Sequence, residues 1–512
     1  LELQQTTYFL DQEPLTTVKL WSLARDAKLQ LDITLSTRQR IQEFRKYIES
    51  AIDSGEKVYG VTTGFGFLSN VAIPKDKIDQ LQVNLIRSHA AGVGDLSPPE
   101  VVRAMMILKV VSFLSGNSGV RVEVVDALLS LLNHDILPLV PGQGSVGASG
   151  DLAPLAHMAL ALMGEGRVHY SGQVSSAKHV LENAQISPLR LHAKEGLSLI
   201  NGTQFMAAGA TFALEEAKIL ARSATAIAAL SLDGFKGSLK AFDPRIHVLR
   251  PQQGQGRVAA EMLSLFAGGD EILASHEDCD RVQDPYSFRC IPQVHGASWD
   301  AIDYVDAIMN REMNATTDNP LVFAGGEVLS GGNFHGQPIA MAMDFLSIAV
   351  SELGSISERR IEKLTNPAMS ELPAFLVRES GLNSGFMIPH VAAAALASEN
   401  KVLSHPAVVD SIPTSADKED HVSMGPLATW KARRVVRNVS RIFAIEALAA
   451  CQALDLLQPL KPAPQLQKLY TEIRGLSLTM DVDRALSDDI EIVALWILDG
   501  GLLRALAERI DQ

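Results

Sequence analysis

At 512 residues, 47% hydrophobic and 20% charged, the chain has the composition of an ordinary globular protein with a large core, which excludes extended disorder. A formal net charge of -14 argues against a nucleic-acid or anionic-membrane surface, because both need clustered Lys and Arg. Three cysteines, Cys279, Cys290 and Cys451, are too few for a disulfide framework, and a reducing cytoplasmic setting is the simple expectation.

The opening residues LELQQTTYFLDQEP lack the charged-then-apolar pattern of a secretory signal. Helices are expected over 101–114, 121–133, 206–232, 341–364, 392–403 and 431–457, where apolar residues recur three or four apart or fill the segment. Asn366-Pro367 closes the fourth of these and Pro459 follows the last. Arg103 and Lys109 interrupt the first, and Glu215, Glu216, Lys218 and Arg222 the third, so neither reads as a membrane span. Helices apolar on nearly every face belong in the middle of a protein or at a subunit interface. Strand signals are short: 167–170 turning at Ser171-Gly172, and 321–323 turning through Gly325-Gly326 into 327–329. The expected fold is therefore mainly α, a bundle of long helices. Its polar loops, at 59–69, 141–154, 198–204, 283–293, 330–338 and 411–425, are where chemistry belongs. One extended unit is expected, with an approximate division into 1–205, bearing several of these loops, and a helical region, 206–512.

The loop 142–157 reads GQGSVGASGDLAPLAH. Within it the Gly150 nitrogen, free of a neighbouring Cβ, can approach the Ala148 carbonyl carbon. Closure and loss of water give a five-membered imidazolone, and loss of the Ser149 hydroxyl leaves an exocyclic methylene. Asp151 could move protons during closure. Ordinary side chains supply nucleophiles, acids and bases but almost no electrophiles, so a self-made one points to activation of an amine or an aromatic ring. Alone, however, a tripeptide of small residues is usually only a turn.

The surrounding blocks change that balance. ASGDLAPLAH at 148–157, YGVTTGFG at 59–66, NLIRSHAAGVG at 84–94, LINGTQ at 199–204, QDPYSFRC at 283–290, GGNFHG at 331–336 and TSADKEDHVSMG at 414–425 together resemble the histidine/phenylalanine/tyrosine ammonia-lyase family, in that family's order. The resemblance implies a fumarase/aspartase-like helical architecture with a loop-borne active site. It also implies a homotetramer with shared active sites. The prosthetic group would be a methylidene-imidazolone formed autocatalytically from Ala148, Ser149 and Gly150, with no external cofactor. Tyr59 would be the base that takes the substrate's β-hydrogen. Tyr286 and Asn201 would stand near the prosthetic group as donors to its oxygen, and Arg289 would clamp the substrate carboxylate through two parallel hydrogen bonds. Gln283 and Phe334 would line the pocket. Gly64-Phe65-Gly66, after Thr62 and Thr63, suggests a flexible lid.

Glu419 resembles the acidic residue of histidine-specific members, and His89 their imidazole-recognising histidine. A carboxylate can accept a hydrogen bond from an imidazole N–H or an ammonium, whereas a phenyl ring offers neither. Val61-Thr62 looks instead like the aromatic-acid branch, and Gly336-Gln337 departs from the Ala-Glu usual after Asn-Phe-His in histidine enzymes, so tyrosine or phenylalanine ammonia-lyases and aminomutases stand as alternatives to L-histidine elimination. A non-catalytic scaffold that kept the fold is the alternative from another class, and a fumarase-like eliminase would not need Ala148-Ser149-Gly150. His276, Cys279 and Cys290 lack the second close pair of a zinc site, so no metal is expected.

Overall fold

The computed structural model describes residues 7–54, 58–64, 71–277 and 281–507. Phe65 and Gly66 of the expected lid, and Cys279, lie outside the described residues. Long helices dominate: Pro99–Phe113, Val122–Asn133, Gln204–Gly234, Ile291–Glu312, Gln337–Thr365, Met387–Leu403 and Gly425–Leu457. Pro99 at the first turn starts its helix without losing a needed N–H donor, and every side chain from Val101 to Phe113 is then buried, Arg103 and Lys109 included. The helix Leu35–Ser54 is rich in Arg, Lys and Glu and buries only Thr37, Ile41, Arg45, Ile48 and Ala51. Those are spaced three or four apart, a narrow buried stripe that charge hides in the sequence.

Gln337–Thr365 is long and apolar enough to cross a membrane by length and composition alone, but most of its apolar stretch is buried inside the fold. Strands are few and short. Arg167–Tyr170 and Gln173–Ser176 form an antiparallel hairpin that also takes Leu137–Pro138, and Leu321–Val322 pairs with Val328–Leu329.

The chain forms two compact units. The first comprises Leu1–Phe212, Asp306–Met343 and Pro406–Trp430; the second comprises Ala213–Val305, Asp344–His405 and Lys431–Gln512. The sequence places one approximate boundary near 205, whereas the compact units interleave along the chain. Four of the five switches fall inside the helices 204–234, 291–312, 337–365 and 425–457. The polar loops 59–64, 141–151, 201–203, 330–336 and 411–424 all belong to the first unit. Inside the second, Glu446 is fully buried and accepts from Ser231 Oγ at 2.7 Å and from Arg360 Nη2 at 2.9 Å.

Candidate active site

The Ala148-Ser149-Gly150 segment is clamped by backbone. Gly202 N donates to Ser149 O at 3.2 Å and Asp151 N donates to Gly202 O at 2.8 Å, so Gly150 and Gly202 face each other as an isolated parallel bridge. Only glycine fits there. Gly150 has φ +76°, and a Cβ on it would lie 2.1 Å from Gly202 O. Because the bridge uses the groups flanking it, the Gly150 nitrogen donates no hydrogen bond among the described residues. Ala148 is buried and Ser149 half-buried.

Asp151 immediately precedes the helix Leu152–Leu162 and is fully buried. Its Oδ2 accepts from Met206 N at 2.9 Å, a favourable place for a carboxylate at the first turn of helix 204–234. Burial nevertheless dominates, pushing this carboxyl up to about 7 against the pull of the Met206 and Phe205 amides and the Lys109 charge. A carboxyl balanced there can both take and give a proton near neutral pH. Lys109, equally enclosed, is pushed down to about 7, again chiefly by burial.

A cavity of about 950 Å³ opens onto this loop. Its walls include Tyr59, His89, Ala148, Ser149, Asn201, Phe334 and Glu419, seven of the expected site residues within the first unit. His89 ends the helix Ile78–His89, and its Nδ1 lies 2.8 Å from Leu85 O. With Nδ1–H donating to that carbonyl, the neutral ring presents Nε2 as an acceptor. Burial keeps the ring neutral by lowering its pKa, opposed by the Leu85 carbonyl and the Glu419 charge. Glu419 is half-buried, and its Oε2 accepts from Thr414 Oγ1 at 2.6 Å and Ser415 Oγ at 2.7 Å. That leaves Oε1 uncommitted among the described residues. The cavity wall thus offers two acceptors, one neutral and one charged.

Asn201 stands where the sequence places it but is spent differently. Its Nδ2 donates to Asn319 O at 2.8 Å and Asp318 Oδ1 at 3.3 Å, and turning the amide over would set its oxygen against two acceptors. Its side-chain hydrogens are therefore committed to the 318–319 loop, and the donor that reaches Ser149 O is the Gly202 backbone N–H. Gly336 also has a local cause. An added Cβ would come within 2.5 Å of Met206 Sδ and 2.9 Å of Ser423 Oγ, so glycine there answers to packing.

Three expected residues are elsewhere. Gln283, Tyr286 and Arg289 belong to the second unit, where Gln283 and Arg289 line another cavity, of about 600 Å³, with Lys236, Lys240 and Arg281. Tyr286 is 70% exposed. The Arg289 guanidinium lies 4.3 Å from the Tyr286 ring centroid, and its Nε donates to Asp284 O at 3.1 Å. His276 has both ring nitrogens on carbonyl oxygens, of Ile272 and Gly237, which occupies it structurally.

The model of the aromatic amino acid lyase family matches residues 15–475. The chain belongs to this family. A histidine ammonia-lyase of Koribacter versatilis is 52% identical over 482 residues, covering 91% of this chain and 93% of that protein. Among solved structures, histidine ammonia-lyase from Trypanosoma cruzi matches with a TM-score of 0.91 at 43% identity, over 98% of this chain and 95% of the other. A tyrosine aminomutase from Streptomyces globisporus matches with a TM-score of 0.92 at 37% identity, over 99% of both chains. The shared fold therefore does not separate lyase from aminomutase; the pocket residues have to. Family motifs also leave part of the site unmarked. Lys109 lies inside an apolar helix, and Lys194, whose Nζ is 3.0 Å from Asp318 Oδ2, lies before a short one. Both are fully enclosed, and a charged residue interrupting a buried apolar run is the signal that could have found Lys109.

Proposed function

We propose that this chain is a histidine ammonia-lyase, eliminating ammonia from L-histidine to give urocanate, the opening step of histidine degradation. The observation that carries the reading is the pair of acceptors on one cavity wall, His89 Nε2 and Glu419 Oε1. L-Histidine brings N–H donors at both its ammonium and its ring, while the ring of phenylalanine has none and that of tyrosine a single hydroxyl. Similarity to histidine ammonia-lyases at about half identity supports the same reading.

The residues present fit a methylidene-imidazolone. Ala148 is small and buried, Gly150 is held where no Cβ fits, and its nitrogen is left out of the clamp. Ring closure joins the Gly150 nitrogen to the Ala148 carbonyl carbon and releases that oxygen as water; loss of Ser149 Oγ with the α-hydrogen releases a second water. The group supplies an electrophilic methylidene carbon. Asp151 carries protons during closure. Tyr59 Oη takes the substrate's β-hydrogen, Glu419 and His89 receive its N–H groups, and Phe334 packs the wall. No external cofactor is needed.

Gln283, Tyr286 and Arg289 complete the site from a neighbouring subunit of a homotetramer, Arg289 pairing with the substrate carboxylate. Met341, Phe345 and Ile348 support an assembly: they leave an apolar stripe exposed along helix 337–365, a face that a second subunit would cover. The setting is cytoplasmic.

The test is a panel of L-histidine, L-tyrosine and L-phenylalanine, followed by ultraviolet absorbance and product analysis. Urocanate is expected from L-histidine. Coumarate, cinnamate or a β-amino acid as the main product would move the assignment to a tyrosine or phenylalanine enzyme of the same chemistry.

A further inference from the structure

The reading above gives Lys109 no task, yet the fold keeps it at a cost. It sits in a helix whose inward residues are otherwise almost all apolar, fully buried, where an uncharged side chain of similar length would pack without desolvation. Its Nζ donates to Asn201 O at 2.6 Å, with Gln204 Oε1 at 3.4 Å. The charged groups felt there are Asp318 and Asp151, which favour the ammonium, and Lys194, which opposes it.

The Asn201 carbonyl is one end of the Asn201–Gly202 peptide. The other end is the Gly202 N–H that donates to Ser149 O at 3.2 Å. An N–H donor on an amide oxygen, most strongly one that carries charge, draws density out of the amide and makes its N–H a stronger donor, the polarisation that runs along hydrogen-bonded chains. Ser149 O is also the oxygen that survives condensation, since the waters released take the Ala148 oxygen and Ser149 Oγ. It is conjugated with the Ser149 β-carbon, so electron density delivered at that carbon gathers on it.

We infer that Lys109 is a positioning residue that acts through the Asn201–Gly202 peptide on the Ser149 carbonyl oxygen and so sets how readily nucleophiles add at the Ser149 β-carbon. The inference rests on the prosthetic group proposed above. It predicts that the loss lies in kcat rather than KM, because Lys109 is not among the cavity-lining residues.

The test uses the full-length enzyme and the variants Lys109→Met and Lys109→Gln, the second keeping a donor for Asn201 O without charge. Circular dichroism and gel filtration read the fold, intact mass reads the loss of two waters, and the rate at which potassium cyanide bleaches the enzyme's ultraviolet absorbance at fixed pH reads electrophilicity without substrate. The expected result is folded Lys109→Met that has lost two waters, adds cyanide at least about tenfold more slowly, and shows lower kcat with KM changed less than twofold. Lys109→Gln should fall between it and the parent. Cyanide addition at the parent rate overturns the inference, and so does loss of the fold in both variants, which would make the lysine purely structural. A folded variant that retains both waters also overturns it, by placing the role in ring closure instead. If the parent enzyme itself retains both waters, the prosthetic-group reading fails first, and the two failures are told apart by that one mass.

Discussion

The two units treat their functional residues differently. In the first, the Ala148–Asp151 loop is held by backbone hydrogen bonds to Gly202 and by an enclosed carboxylate, and the cavity around it already gathers Tyr59, His89 and Glu419. In the second, Tyr286 is exposed and Arg289 is spent on the Tyr286 ring and the Asp284 carbonyl. One region is preorganised around its own cavity; the other keeps its tyrosine exposed and its arginine on contacts it can exchange. Preorganised backbone donors cost no rearrangement at the moment of reaction, whereas a guanidinium that must bind an incoming carboxylate can exchange one acceptor for another.

The sharpest break in this contrast is Ser149→Ala. It should abolish the two-water mass loss and cut L-histidine turnover by about 1000-fold or more, with an unchanged circular dichroism spectrum. Undiminished turnover would defeat the electrophile. Next comes Arg289→Ala, expected to lower kcat/KM by roughly 100-fold through loss of a two-point carboxylate contact. On the proposed shared-site assembly, co-expressing Ser149→Ala and Arg289→Ala subunits should restore activity, because some sites then carry both native residues. No recovery from purified mixed tetramers would put both loops to work within one chain.

These differences were unevenly legible in the sequence. The helices over 99–113, 122–133, 204–234, 337–365 and 425–457 announce themselves because apolar residues recur three or four apart or fill the segment. Helix 35–54 did not, since its charged faces swamp a stripe of five buried residues. Tyr59, Ser149 and Glu419 stand in motifs and meet in one cavity. The commitment of Asn201 to Asp318 and Asn319 was invisible, because nothing local in LINGTQ reports a partner more than 100 residues away. The interleaving of the units was equally hidden, as most switches occur inside continuous helices without any change of composition.

Within the first unit, Glu419→Gln asks whether the charged acceptor selects the substrate. Thr414 and Ser415 can still hold the amide, so the fold should persist while kcat/KM for L-histidine drops about 10- to 100-fold. Residual activity on L-tyrosine, if any, should change much less. An equal loss on both would make Glu419 a general part of the chemistry rather than a selector.

The smallest effect on turnover, and the cleanest on stability, belongs to the second unit. Asp233 is buried beside Asp270, and burial first, then the Asp270 charge, pushes its carboxyl from an ordinary 3.8 up to about 9. Asp270 is meanwhile held by the backbone amides of Leu273 and Ala463, at 2.8 and 2.7 Å. The folded chain therefore retains a proton on Asp233 that the unfolded chain releases. The stability this group contributes is complete below about pH 4 and is lost as pH rises towards 9. Asp233→Asn keeps a donor beside Asp270 with no proton to lose. Its gain in stability over the parent should be larger at pH 8 than at pH 5, by about 2 kcal/mol or more, with kcat unchanged because no cavity residue is touched. Thermal midpoints at the two pH values decide it: the same difference at both would show that Asp233 is ionised in the folded protein.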